Sequence, residues 1–295
     1  MMPIDNSAAR ARRGRLLVSC PDQPGIVAAV SRFLFERGAN IVQSQQHTTD
    51  PSGGRFFLRV EFDLEGLSDN IAPLGSEFVR EVAGRYGIVF RFASAAYRQR
   101  LGVFVSKEDH ALQELLWQQR SGDLPADIAI VIGNHPQLEN VVAPFGIPFR
   151  HVPVAKDDKP AAEATQLKLL RDAQVDTVVL ARYMQIVTSE FITPWANRLI
   201  NIHHSFLPAF IGANPYAQAH ERGVKLIGAT AHYVTTELDA GPIIEQDVHR
   251  VDHRHTVEEM RRIGRQVERV VLARAVSWHV QDRVLVDGNK TVVFT

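Results

Sequence analysis

Asn201 and His203 stand two positions apart in NIHHS, at the carboxyl end of the apolar run LINIHH. A strand alternates its faces, so both side chains point the same way. Open α/β sheets bind ligands at that end of their strands. An amide donor and an imidazole on one face make an oxyanion stabiliser plus a proton shuttle. Asp239 lies downstream in the glycine-bearing stretch TTELDAG. A carboxylate beside an imidazole fixes its orientation and favours its charged form. Only the fold can bring Asp239 there. The residue types alone leave a second reading open: a satisfied buried Asn and His at a strand end, with Asp239 an ordinary turn residue.

The elements around these residues spell an alternating pattern. LGVFVS, DIAIVIG, VDTVVLA and LINIHH are short apolar runs suited to central parallel strands. HALQELLWQQR and AAEATQLKLLRDA between them place apolar residues three and four apart, as amphipathic helices do. KLIGATAHYV and PIIEQDVHRV read as longer strands joined by TTELDAG, a helix is expected over 257–279, and RVLVDGNKTVVF reads as a hairpin. Residues 101–295 therefore predict a doubly wound, mostly parallel α/β domain.

Residues 14–96 predict a second, α+β unit. RLLVSC is a strand, and a helix opens near Pro24, with Ile26, Val30, Phe33 and Leu34 at helical spacing and Gly38 at its end. ANIVQSQQHTT, the turn DPSGG and RFFLRVEFDL form a hairpin, the last strand alternating as a half-buried strand does. A helix over 75–86 and the strand IVFRFAS complete a β-α-β-β-α-β, ferredoxin-like plan. Residues 97–100 read as a linker.

The segment LLVSCPDQPGIVAAVSRFLFERGANI resembles the start of an ACT domain. That resemblance implies a regulatory domain that holds a small amino acid, methionine or glycine, near Asp22, Gln23, Gly25, Ile26 and Val27, where helix N–H groups suit a carboxylate. A purely structural Asp22, capping the helix, stays open beside it. ACT-like units usually pair, which implies a homo-oligomer.

Asn201, the HxSxLP pattern at His203, Ser205, Leu207 and Pro208, and LDAGPII at Asp239 resemble the formyltransferase family that uses 10-formyltetrahydrofolate. The resemblance makes Asn201, His203 and Asp239 the catalytic residues. It makes VVLARYMQIV the folate segment, with Met184, Gln185, Ile186 and Val187 on the pterin, partly through backbone hydrogen bonds. His232 falls on a histidine position near the site, and Thr235, Thr236 and Leu238 form the opposing loop. Met184 as core filler and His232 as a half-buried strand residue are the structural alternatives.

Within that family the acceptor differs. A ribonucleotide-amine transformylase needs a glycine-rich phosphate cradle after the first strand. The corresponding VSKEDHALQEL has no glycine, and Glu108 and Asp109 would repel a phosphate. A tRNA formyltransferase carries a further domain after the catalytic one. The ACT-like module and NIHHSFLPAFIGA instead resemble the formyltetrahydrofolate deformylase family, in which water is the acceptor and the folate is the substrate. No metal or cofactor is implied. Transfer to an amine, and an amino-acid sensor on a dead scaffold, are the competing readings; the intact triad argues against the sensor. Asn214 and Ala217 stand where related deformylases carry bulkier or basic residues.

Composition agrees with this class. The 295 residues, 45% hydrophobic and 22% charged, suffice for two soluble domains. A formal net charge of zero gives no basic excess for nucleic acid. The single cysteine, Cys20, excludes an intramolecular disulfide framework and fits the cytoplasm. No apolar run is long enough to span a membrane. The polar start MMPIDNSAARARR reads as a frayed tail, with a transit peptide as the weaker alternative.

Overall fold

A computed structural model describes residues 7–155, 158–207 and 215–295. Two compact units emerge. One holds the residues up to Arg98 together with Gln281–Asp287 and Val292–Thr295; the other holds Gln99–Val280 and Gly288–Thr291. The sequence boundary, which gave everything beyond 100 to the second domain, therefore differs from this division at 281–287 and 292–295.

The first unit is an antiparallel sheet of β1 (Arg13–Pro21), β2 (Asn40–Thr48), β3 (Arg55–Asp63) and β4 (Val89–Ser94), in the order β2-β3-β1-β4. The helices Ile26–Glu36 and Leu67–Phe78 cover one face. Leu16, Val18, Leu58, Val60 and Phe62 meet Val30, Phe33, Leu34 and Phe78 there in one apolar cluster. The second helix starts at Leu67 rather than at 75 and carries Pro73 inside it, then runs through a π turn at Val79–Ala83. An interior proline removes a helical hydrogen bond, which is why the sequence hides the first turns. Pro24 stands ahead of the first helix, not in its first turn. Gly25, at φ 95°, begins that helix.

The alternation of β3 predicts one buried face, yet Phe57 and Arg59 on its other face are buried as well, at 0% and 1% exposure. Residues 281–282 supply the partners of Arg59. Arg59 donates Nε to the Asp282 carbonyl at 2.9 Å and Nη2 to the Gln281 carbonyl at 3.2 Å. Its remaining donors reach Gln43 and Glu61. Arg15 and Arg91 both pair with the Asp282 carboxylate, which is itself 3% exposed. A buried charge persists only when paired and hydrogen-bonded, and this arginine is both.

The second unit is a seven-stranded sheet: β5 (Gln99–Val105), β6 (Ala126–Gly133), β7 (Phe149–His151), β8 (Thr177–Leu180), β9 (Leu199–His203), β10 (Leu226–Tyr233) and β11 (Ile243–Arg250). The order is β11-β10-β9-β8-β5-β6-β7. Strands β5 to β9 are parallel, and β10 and β11 are antiparallel. The linker expected at 97–100 is in part strand: Gln99 and Arg100 pair with Ala126 and Asp127. Their polar side chains find partners, Gln99 with Thr177 and Arg100 with the Ala173 carbonyl, so polarity here does not mark a connector. The helices His110–Ser121 and Val257–Val280 pack on each other, and Lys159–Asp172 joins the cluster around Phe104, Ile132 and Leu180. Thr256 and Glu259 cap the long helix reciprocally, side chain to backbone N–H, at 3.2 and 2.8 Å. β12 (Val284–Asp287) and β13 (Lys290–Val293) form the expected hairpin.

The chain runs β5 to β6 to β7 in one direction, then crosses back to β8 and β9 on the other side of β5. A crevice opens at such a reversal, at the carboxyl ends of the strands.

Candidate active site

That crevice is a cleft of about 370 Å³. The register β9–β10 puts Asn201 directly opposite His232, and His203 two residues further along β9. Asn201, His203, His232 and Asp239 all line the cleft. Asp239 arrives from the loop between β10 and β11 at φ 53°, a left-handed conformation that aspartate tolerates better than most residues. Gly241 makes the approach possible. A Cβ there would sit 1.9 Å from the Tyr233 carbonyl oxygen.

The hydrogen bonds fix the tautomers. Tyr233 O can only accept, so His232 donates Nδ1–H to it at 2.9 Å. In the neutral ring its Nε2 is then an acceptor, and the Asn201 amide lies 3.3 Å away as the donor. An amide carries two N–H groups, so one remains for a ligand. The Asp239 carboxylate accepts from His203 Nδ1 at 3.2 Å and lies 3.7 Å from His232 Nε2. The hydrogen bond from His203 above all holds its carboxyl well below the usual carboxylate range. His203 Nε2 is buried and makes no hydrogen bond among the described residues, so its remaining nitrogen is uncommitted.

The folate-segment residues Met184, Gln185, Ile186 and Val187 line one wall, and Thr235, Thr236 and Leu238 line the other. Met184, Ile186 and Leu238 are 55%, 63% and 59% exposed, which sets aside core filler for Met184. Large apolar groups left open around a cleft suit a flat, largely apolar ligand. Two backbone groups of this wall already have partners: Met184 N–H donates to the Ser106 hydroxyl, and the Lys159 ammonium donates to the Ile186 carbonyl. Of the recognition pattern, Ser205 and Leu207 are buried beside β10, where Leu207 N–H donates to Thr230 and Thr230 donates to the Ser205 carbonyl. Pro208 and Asn214 lie outside the described residues, and Ala217 lies in the helix Pro215–Glu221.

A polar layer that sequence reasoning missed adjoins this cleft. Glu268, 1% exposed, takes the Tyr216 hydroxyl at 2.9 Å and His110 Nε2 at 2.9 Å. Its Oε2 also lies 3.3 Å from Arg182 Nε. Gly264 admits the Tyr216 ring, since a Cβ there would lie 1.9 Å from the hydroxyl. The available signal was a carboxylate on the apolar stripe of the last helix, between Gly264 and Leu272. His204 stacks on His203 with ring centroids 5.1 Å apart. Burial, then Arg182, pushes its pKa down to about 4 from the ordinary 6.5.

This last shift has a definite sign. The unfolded chain takes up a proton near pH 6.5 that His204 in the folded chain refuses until about pH 4. Stability should therefore fall on acidification through that window, by at most about 1.4 kcal/mol per pH unit from this one group. Urea unfolding between pH 4 and 7 measures it, and His204→Phe is expected to flatten the slope. An unchanged slope would refute the assignment.

In the first unit, no side chain caps the helix Ile26–Glu36. Asp22 does not cap it; its carboxylate accepts from the Thr48 hydroxyl at 2.7 Å, and its N–H donates to the Gly54 carbonyl. Gln23 donates to the Tyr86 carbonyl at 3.1 Å, Ile26 is buried in the core, and Val27 is exposed. The five residues thus sit around one helix start, and Ile26 faces inward.

Comparison with known proteins agrees with this architecture. The formyl transferase family model matches residues 99–276, and the ACT domain model matches residues 14–76. A formyltetrahydrofolate deformylase of Bacillus subtilis (strain 168) is 57% identical over 96% of this chain and 94% of its own. One from Mycobacterium tuberculosis (strain H37Rv) is 56% identical over 95% and 90%. The crystal structure of a formyltetrahydrofolate deformylase from Pseudomonas syringae pv. tomato superposes with a TM-score of 0.92, at 48% identity, covering 96% of this chain and 95% of that one. With both domains matched in order and identity this high across nearly the whole length, the chain belongs to the formyltetrahydrofolate deformylase family.

Proposed function

We propose that this chain hydrolyses 10-formyltetrahydrofolate to formate and tetrahydrofolate. The observation that carries the reading is His203: its Nδ1–H is committed to an ionised Asp239, and its Nε2 is uncommitted in the cleft that Asn201 also lines. His203 Nε2 takes a proton from water as the water oxygen attacks the formyl carbon. The second N–H of Asn201 holds the developing oxyanion, while His232 fixes the amide's orientation through the first. Collapse breaks the bond between the formyl carbon and N10, and His203 returns the proton to N10. Met184, Gln185, Ile186 and Val187, with Thr235, Thr236 and Leu238 opposite, hold the folate rings. This chemistry calls for no metal and no cofactor, because hydrogen bonding and proton transfer supply the activation.

Water as the acceptor is supported by the turn after β5, where Glu108 stands 45% exposed in place of a phosphate cradle. Incubation with 10-formyltetrahydrofolate alone tests the reading. Formate and tetrahydrofolate should appear without an added amine; release only when an amine is present would overturn hydrolysis in favour of transfer.

The cellular role that fits is formate supply for purine synthesis and balance of one-carbon folate pools in the cytoplasm. No helix among the described residues is long and apolar enough to cross a membrane. The uncapped helix start at Gly25 supports an amino-acid effector, methionine or glycine, on Asp22, Gln23, Gly25, Ile26 and Val27, in a homo-oligomer paired through its ACT domains.

A further inference from the structure

We propose that Arg182 forms a subsite for a small carboxylate, the formate that hydrolysis leaves beside Asp239; the inference rests on the hydrolytic reading above and deepens it. Arg182 stands two residues past the end of β8 and lines the same cleft as Asn201, His203 and Asp239. It is the one lysine or arginine among the described lining residues. Its backbone holds φ 63°, a conformation glycine would adopt without strain, so the side chain is kept there against a local cost.

The guanidinium is held but not used up. Nε lies 3.3 Å from Glu268 Oε2, yet Nε and Nη1 make no hydrogen bond among the described residues and are buried. Glu268 spends its oxygens elsewhere: Oε1 on the Tyr216 hydroxyl and Oε2 on His110. A purely structural ion pair would satisfy these donors. Arg182 thus lines the reaction cleft with two buried donors that no hydrogen bond uses, next to its counter-charge Glu268.

The reaction supplies the matching acceptor. The water oxygen bonds to the formyl carbon, the bond to N10 breaks, N10 takes the proton, and formic acid loses its own proton at neutral pH. A new carboxylate thus appears in a cleft that already holds the ionised Asp239. Like charges in a confined site repel. His204 cannot offset the second charge, since it stays neutral above about pH 4. Arg182 shares its charge with Glu268, but its unused N–H groups form a planar fork that matches a carboxylate in shape.

Titration of the full chain with 13C-labelled formate, followed by NMR, tests the subsite without needing turnover. Glycine accepts φ 63° freely, so R182G removes the side chain and keeps the backbone; R182K keeps the charge without the fork. Formate affinity is expected to fall about tenfold or more in R182G and less in R182K. Affinity for tetrahydrofolate should change by less than about threefold in both. Wild-type formate affinity in R182G, or no saturable formate binding to the unaltered chain, would overturn the proposal. A chain that binds formate through Arg182 yet releases none from the substrate keeps the subsite and sinks hydrolysis. One that hydrolyses while formate binding ignores Arg182 does the reverse.

Discussion

Asp239→Asn is expected to lower formate release at least about 1,000-fold, within the range that removal of positioned acid–base chemistry costs. The aspartate accepts from His203 Nδ1 and so leaves Nε2 as the proton acceptor. An asparagine can turn its amide nitrogen toward the ring. The histidine then carries its proton on Nε2, where no base remains. Asparagine tolerates the φ of 53° at this position, so the loop should keep its shape. His203→Ala should show a similar loss, because it removes the shuttle itself. Formate assays on both purified variants, beside their unfolding curves, separate chemistry from folding. Turnover like that of the unaltered chain in either one would sink the assignment.

Arg59→Leu is expected to have the largest effect on stability, about 3–5 kcal/mol, as breaking buried ionic pairs does. Leucine roughly fills the space along β3. It removes the donors that Arg59 gives to the carbonyls of Gln281 and Asp282, and one partner each of Gln43 and Glu61. Hydrogen exchange should rise in β3 and across 281–287 together, because those segments share the lost contacts. Protection that falls in β3 alone would show that the later segment is held by other means. Denaturant midpoints give the magnitude.

How much of this was legible in the sequence depended on how local the cause was. The common face of Asn201 and His203 follows from strand alternation and needs nothing else. The ferredoxin-like order of the first unit was likewise written in short-range pattern and turn residues. The helix from Leu67 was obscured by Pro73, a residue that forbids what its neighbours there nevertheless do. The burial of both faces of β3 was beyond reach, since Arg59 meets its partner 223 positions away. Asp239 could be placed near His203 only by resemblance, because its approach depends on how closely Gly241 passes the Tyr233 carbonyl. Arg182 gave no sign at all: a positive φ leaves no trace in residue type, except where it selects glycine. Glu268 did leave one, as a charge on an otherwise apolar helical stripe.

The long separation between Arg59 and Asp282 also bears on how the protein is made. A ribosome releases β1 to β4 long before it has synthesised residue 282. During that interval the first sheet can form and cover one face with its helices, while Arg59 stays hydrated on the other. Only when the chain past Val280 emerges does the arginine lose its water and gain its carbonyls. The first unit to appear is thus among the last to be finished. A stalled or truncated product would leave Arg59 on a sheet face short of its late partners, the kind of incomplete surface that chaperones and proteases recognise.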